Sequence, residues 1–469
     1  TDGGTVTIEN TTISGNSAAR AGGGIENFNG TVTITNATLG GPNPVHGNVA
    51  GINGGGIHVS GTGTTDIIGS KIRHNEAQQE GGGLWNASGT MTVSSSEIDS
   101  NSAYAANNGG NNQGGGGIFN NGGLLNVTSS TIVNNEALLN SGNGGGIMTD
   151  GGTVILTVSS LYRNEAARAG GGIENFGGTV TINSSNIGGA GAFNANKAGI
   201  NGGGLHVSGT GTTNLNGGTV RNNVAQQEGG GLWNASGTMT IDGTLISENA
   251  ANAANNGGND QGGGGVFNIG GTLNIDNATI SGNEALLNLG NGGGVMTDGG
   301  TVTIENSIIF GNSAARAGGG IENFNGTVTI TNTTVGGPNP LDGNVAGING
   351  GGIHVSGTGT TDVDNSVFYN NLAMQEGGGL WNGIGTMTLS NWVVILENTA
   401  KGDLADQGGG GIFNNGGTVV LDSCAIATNS ASGIGGSGGG IFNNTGGTIT
   451  MWKGEINGNN ANRAGAGVE

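Results

Sequence analysis

One pattern recurs sixteen times along the chain: an aliphatic or aromatic residue, two spacers, Asn-x-Ala, a short link, a glycine-rich run and a further aliphatic. Its clearest copy reads IIFGNSAARAGGGIEN over 308–323. The Asn falls first at Asn16 and last at Asn459, and the closing aliphatic runs from Ile25 to Val468. A repeat of this size fixes architecture before any other signal, because each unit is too small to bury a core alone and must stack on its neighbour. A 469-residue chain that would otherwise suggest two or three domains is therefore expected to form one solenoid.

The units are strand-like. GTVTIEN at 4–10 alternates, with Val6 and Ile8 on one face and Thr5 and Thr7 on the other. Further short strands are expected around Ile13 and Ile25, separated by turns at Asn10 and Asn16 and by the glycine-rich bend. No stripe with a 3.6-residue period appears, and Gly with β-branched residues disfavours helix. The chain holds 109 Gly, but at fixed phase, which argues against disorder. Asn at one phase of every coil is expected to stack its side-chain amide on the Asn of the next, pairing groups that would otherwise be buried without partners. The expected fold is all-β: a right-handed parallel β-helix of about 16 coils with three short strands each. At ~4.8 Å per coil it would make a rod of roughly 77 Å.

A longer period lies over the short one. Thr5, Thr153 and Thr301 open the same GGTV, 148 residues apart, which divides the helix into five-coil cassettes at 1–148, 149–296 and 297–469, the last with one extra coil. From the glycine-rich aliphatic to the next Asn takes 17 or 18 residues, except at Ile25, Ile173 and Ile321, where it takes 23. The extra residues, such as GGPNPVHG (40–47), and the insert YAANNGGNNQ (104–113) read as loops at two corners of a constant core.

These repeats resemble those of the chlamydial-type polymorphic outer-membrane proteins, whose F-x-x-N and GGA[I/L/V] motifs follow in the same order and spacing. Phe368 to Asn371 match the first motif as written; most copies carry Ile instead, as at Ile13 and Ile98, and the second motif is GGG here. The resemblance spans the chain and implies a β-helical passenger that is secreted or displayed at a cell surface. It brings no catalytic residues, and no outer-membrane barrel segment accompanies it.

Composition narrows the partners. Net charge is −20 with 9% charged residues, so no basic stripe is available for nucleic acid or anionic membrane. No apolar run is long enough to span a bilayer. Cys424 is alone, which excludes a disulfide framework. The chain opens at Thr1 without Met or a signal peptide, as expected of a processed or excerpted sequence. Its last residues and its first run together in register with 146–154, so Val468 and Glu469 are expected to meet Thr1 and Asp2 of another copy in a head-to-tail stack, or of the same chain continued.

Three features carry candidate chemistry. The residue after each glycine-rich aliphatic forms a column that includes His58, Trp85, Phe119, His206, Trp233, Phe267, His354, Trp381 and Phe413, interleaved with Glu26, Glu174, Glu322 and methionines. Exposed, its aromatics would stack on sugar rings or a lateral partner; covered by the inserted loops, they would be packing. Thr-x-Thr pairs such as Thr5/Thr7, Thr90/Thr92 and Thr301/Thr303 form an array resembling ice-binding β-helices, interrupted at LLNV (124–127). Polysaccharide lyases and hydrolases share the fold, but paired carboxylates unique to one cassette are not evident. His58, His206 and His354 are too far apart to share a metal. The expectation is a non-enzymatic extracellular structural protein without cofactor or metal, a fibre subunit or part of a surface stalk or adhesin, partnered by itself and by glycans or a neighbouring surface. Carbohydrate or ice binding is the alternative.

Overall fold

The structure, a computed structural model, describes residues 1–104, 113–139, 141–252, 261–287 and 289–469. The insert at 104–113 lies outside the described residues except for Tyr104 and Gln113. The chain is an all-β parallel solenoid of about 16 coils whose strands line up in four parallel sheets. The first coil sets the pattern: β1 (Thr5–Glu9), β2 (Thr12–Ile13), β3 (Ser17–Ala18) and β4 (Ile25–Phe28). The three strands expected per coil thus become four, the added one being the two-residue β3. It is too short to display alternation in sequence, and only its Ala faces inward.

Two compact units are distinguished: Thr1–Gln226 with Gly231–Met239, and Gln227–Gly230 with Thr240–Glu469. In the first, β1 pairs in parallel with 31–35, placing Thr5 beside Thr31 and Ile8 beside Ile34. In the second, 301–305 pairs with 327–331 in the same register, Thr301 beside Thr327 and Ile304 beside Ile330. Val32, Ile34, Leu39 and Ile57 are fully buried in the first unit, as are Val328, Ile330, Val335 and Ile353 in the second. One-residue slippage would turn this aliphatic set outward, so the alternation fixes the register.

The glycine-rich bends have a steric cause. Gly81 adopts φ +65, the left-handed region; Gly82 follows it, and a Cβ there would lie 2.4 Å from the carbonyl oxygen of Ser102 and 2.5 Å from that of Gly116. The backbone of the next coil already fills the space a side chain would need.

The interior corner is held by the expected Asn ladder. In the first unit, Asn16 donates its side-chain N–H to Asn48 Oδ1 at 2.9 Å, Asn48 to Asn75 at 2.9 Å, and Asn101 to Asn135 at 3.0 Å. The second unit repeats it from Asn249 through Asn283 and Asn312 to Asn344, each step at 2.9 Å. Each amide also serves the backbone: Asn75 Oδ1 accepts from the N–H of Asn48 at 3.1 Å. A second ladder, not anticipated, runs just before the second strand, where the N–H of Ser70, Ser96, Ser130 and Ser159 each meets the hydroxyl of the Ser one coil on, at 3.0 to 3.2 Å.

Candidate functional site

The column after the glycine-rich aliphatics is a real alignment. In the first unit, register places Glu26 beside His58, His58 beside Trp85, Trp85 beside Phe119 and Phe119 beside Met148. It continues through Glu174, His206 and Trp233. In the second unit, Phe267 neighbours Met296, and Glu322, His354, Trp381 and Phe413 follow one another.

These side chains are covered. Trp85 is 8% exposed and Phe119 1%; Trp233, Phe267, Trp381 and Phe413 are likewise buried, as are the three histidines. Part of the cover comes from the coils themselves. A Cβ on Gly81 would lie 2.9 Å from Trp85 Cβ, so the bend runs along one side of the column, and Ala87, just past the strand, packs against the cluster of Trp85, Phe119 and Met148. Within the column the rings lie nearly parallel: His58 and Trp85 at 4.3 Å and 14°, Trp85 and Phe119 at 6.3 Å and 4°, His354 and Trp381 at 4.2 Å and 15°. Those are the separations at which offset stacking stabilises an aromatic pair.

Each cassette begins its column with the same three polar residues. His58 Nδ1 is 2.7 Å from Glu26 Oε2, while Ser60 donates its hydroxyl to Glu26 Oε1 at 2.6 Å. His206 stands 2.7 Å from Glu174, which also accepts from Ser208. His354 Nδ1 sits between both oxygens of Glu322, 3.0 Å from Oε1 and 2.8 Å from Oε2, and Ser356 donates to Oε1 at 2.6 Å. The sequence marked the His and Glu as a column but gave no sign of the Ser, two residues beyond each His. Burial alone would push Glu26 up; the hydrogen bonds from His58 and Ser60 with the nearby positive charge outweigh it and hold the carboxyl below its ordinary value.

The order of these bonds decides what the cluster does. In all three, serine donates to glutamate and histidine turns toward the same glutamate. An activated nucleophile requires serine bonded to the imidazole, with the carboxylate behind it. Here the carboxylate is central and takes both donors. Donors directed at the carboxyl in this way satisfy acceptors that burial takes from water.

No model of a known protein family matches the chain. No curated protein shows significant similarity to it either.

Trp85 extends the cluster by donating its indole N–H to Glu80 at 3.0 Å, and Trp381 does the same to Glu376 at 2.9 Å. Among the described residues, no three His, Cys, Asp or Glu side chains gather as metal ligands would. At the other candidate positions, Thr1 donates its amino group to the Glu26 carbonyl at 2.7 Å and Asp2 bridges to Phe28. Val468 bridges to Ile441, and Glu469 donates its N–H to the same Ile441 at 3.0 Å. Each of these four residues is thus engaged by the neighbouring coil on one side. Ile449, Met451, Ile456 and Val468 line an apolar opening of about 450 Å³ on the last coil. The Thr-x-Thr positions pair as Thr5–Thr31 and Thr7–Thr33, then give way to Asp66 beside Thr33.

Proposed function

We propose that the chain is a non-enzymatic structural protein of the cell exterior, a fibre subunit or a stretch of a longer surface stalk or adhesin. The observation that carries this reading is the use made of polar groups. In coil after coil the Asn amides, the Ser hydroxyls and the Glu–His–Ser sets are committed to their neighbours along the stack. Chemistry that an enzyme would leave facing substrate is here consumed in holding coils together. The repeat resemblance to polymorphic outer-membrane passengers supports surface display. The aromatic column contributes packing, so recognition of glycans or a neighbouring surface would rest with the loops.

Association through coil edges follows from the same physics. A parallel strand with one free edge and an apolar opening beside it, such as 455–457 with Ile456, is completed by a further coil, from a second copy or from more of the same chain. Electron microscopy of the purified chain in dilute buffer is expected to show particles joined end to end, and Ile456→Lys is expected to leave them single. Single particles of the parent chain at every concentration would remove self-stacking and leave the stalk. Release of new sugar ends from a polysaccharide would overturn the structural reading.

A further inference from the structure

The second cassette carries a pocket whose lining its two sister cassettes do not share. Tyr162, Gly188 and Arg221 occupy the same position on three successive coils, each directly after the paired residues Leu161, Ile187 and Val220. The middle residue has no side chain, and a Cβ on Gly188 would lie 1.9 Å from the Arg221 carbonyl oxygen. The gap it leaves is a pocket of about 400 Å³, lined by Ser160, Tyr162, Arg163, Asn186, Asn194 and Arg221 among others. That is the size of site that takes a small organic ligand.

The lining is cationic in a chain of net charge −20 that has only 11 Lys and Arg. Arg163 is held in place: its Nε donates to Asn194 Oδ1 at 3.0 Å, and its guanidinium lies 3.9 Å from the centre of the Phe193 ring. Asn194 is fixed in turn, donating to the Ala190 carbonyl at 2.8 Å. Across the gap, Arg221 buries its Nε without a hydrogen-bond partner. Neither arginine has a carboxylate within ion-pair distance among the described residues. Glu165 lies in the adjoining depression with Lys197, its register partner. The two guanidinium groups that line the opening present the forked donors that an oxyanion accepts from.

The sister cassettes serve as internal controls. Arg73 stands where Arg221 does and also leaves its Nε unpartnered, but Ser14 and Gly15 replace Tyr162 and Arg163 there. In the third cassette Phe310 and Gly311 face Tyr369, with no cation at all. Only the second cassette sets two guanidinium groups, a phenol, two amides and a hydroxyl around one opening.

We infer that this pocket binds an anionic sugar, a hydroxylated ring bearing a carboxylate or a sulfate. The two arginines would take the oxyanion, Asn186, Asn194 and Ser160 the ring hydroxyls, and Tyr162 a ring face. The inference goes beyond the structural role and does not depend on it.

Calorimetric titration of the full chain with glucuronate, glucose 6-sulfate, glucose and inorganic sulfate tests it. One site per chain is expected for glucuronate or for glucose 6-sulfate, and which of them binds tells carboxylate from sulfate. Tyr162→Ser with Arg163→Gly copies the first cassette, and Arg163 already has φ +57, which glycine adopts freely, so this variant is expected to fold. It should lose affinity by about tenfold or more, as should Arg221→Gln, from loss of charge-assisted bonds. Arg73→Gln should change nothing. Binding of neither sugar anion, equal binding of glucose, equal binding of inorganic sulfate, or full affinity in both pocket variants would overturn the proposal.

Discussion

Glu80 shows how a single residue senses its place in the stack. Burial raises its carboxyl above the ordinary value and Asp150 adds to the rise, while the Trp85 hydrogen bond and His58 oppose without cancelling it. Glu376, paired with Trp381, is raised for the same reason. The folded chain therefore holds these protons to higher pH than the unfolded chain does. Stability from them is present at the acid side of the window and is lost as pH rises from the ordinary glutamate range through the raised value. Glu26 has the opposite sign: its contribution is present above the ordinary range and is lost as pH falls through its lowered value. Urea midpoints of the parent and Glu80→Gln, compared between about pH 4 and about pH 7, should show the parent losing stability relative to the variant as pH rises. Parallel profiles would mean that Glu80 keeps an ordinary titration. Glutamine retains an oxygen for the indole, so the comparison isolates the proton. At this scale the sequence was legible where one residue type kept its phase, as with Asn, and opaque where types alternate. The hydroxyl ladder passes from Ser307 to Thr333 to Ser366. Further on, Cys424 stands at the corresponding position before its strand, its thiol directed at the Leu389 carbonyl 3.5 Å away. Burial pushes that thiol up to about 11, so the lone cysteine acts as a poor serine and not as a nucleophile.

For the elements, the ladders matter more than the strands they join. A two-residue strand such as β3 contributes little pairing, yet the Asn before it fastens three coils. Asn135 donates to the Ile98 carbonyl at 2.9 Å and to Asn164 at 3.0 Å, and its oxygen accepts from the backbone and side chain of Asn101, both at 3.0 Å. Asn135→Ala removes all of these and leaves buried groups on both sides unpaired, at about 1–3 kcal/mol for each group. Chemical denaturation should therefore show a loss of about 3 kcal/mol or more, whereas Thr131→Ala, on the partly exposed side of the neighbouring strand, should cost under about 1 kcal/mol. Strands, bends and the Asn ladder could be read from sequence because a two-residue alternation and a fixed phase are local signals. The serine of each Glu–His–Ser set could not, because Ser208 meets Glu174, 34 positions earlier in the chain, only once a coil has closed.

At the scale of the molecule, the 148-residue period governs the strand pairing described for the two units. Strand 153–157 follows 124–128 as 301–305 follows 272–276, with Thr153 beside Leu124 and Thr301 beside Thr272. Removing residues 153–300 joins Gly152 to Thr301 and offers each strand a partner equivalent to the one it lost. Because solenoid stability is close to a sum over neighbouring repeats, the shortened chain is expected to fold, with a smaller denaturant dependence in proportion to the surface it buries. Circular dichroism through a urea titration would show this, and loss of the β signal would refute it. A cut out of phase, by one coil instead of five, would set Trp against Met or His against Phe, according to the coil removed, and should fold less well.

The same column bears on inheritance. A pairing slip between near-identical stretches of coding sequence gains or loses material in steps of the matching distance. Here the Glu–His–Trp–Phe–Met order returns only after five coils. Descendants of this gene that differ in length should therefore differ by whole cassettes, since those are the changes after which every buried ring still finds its accustomed neighbour.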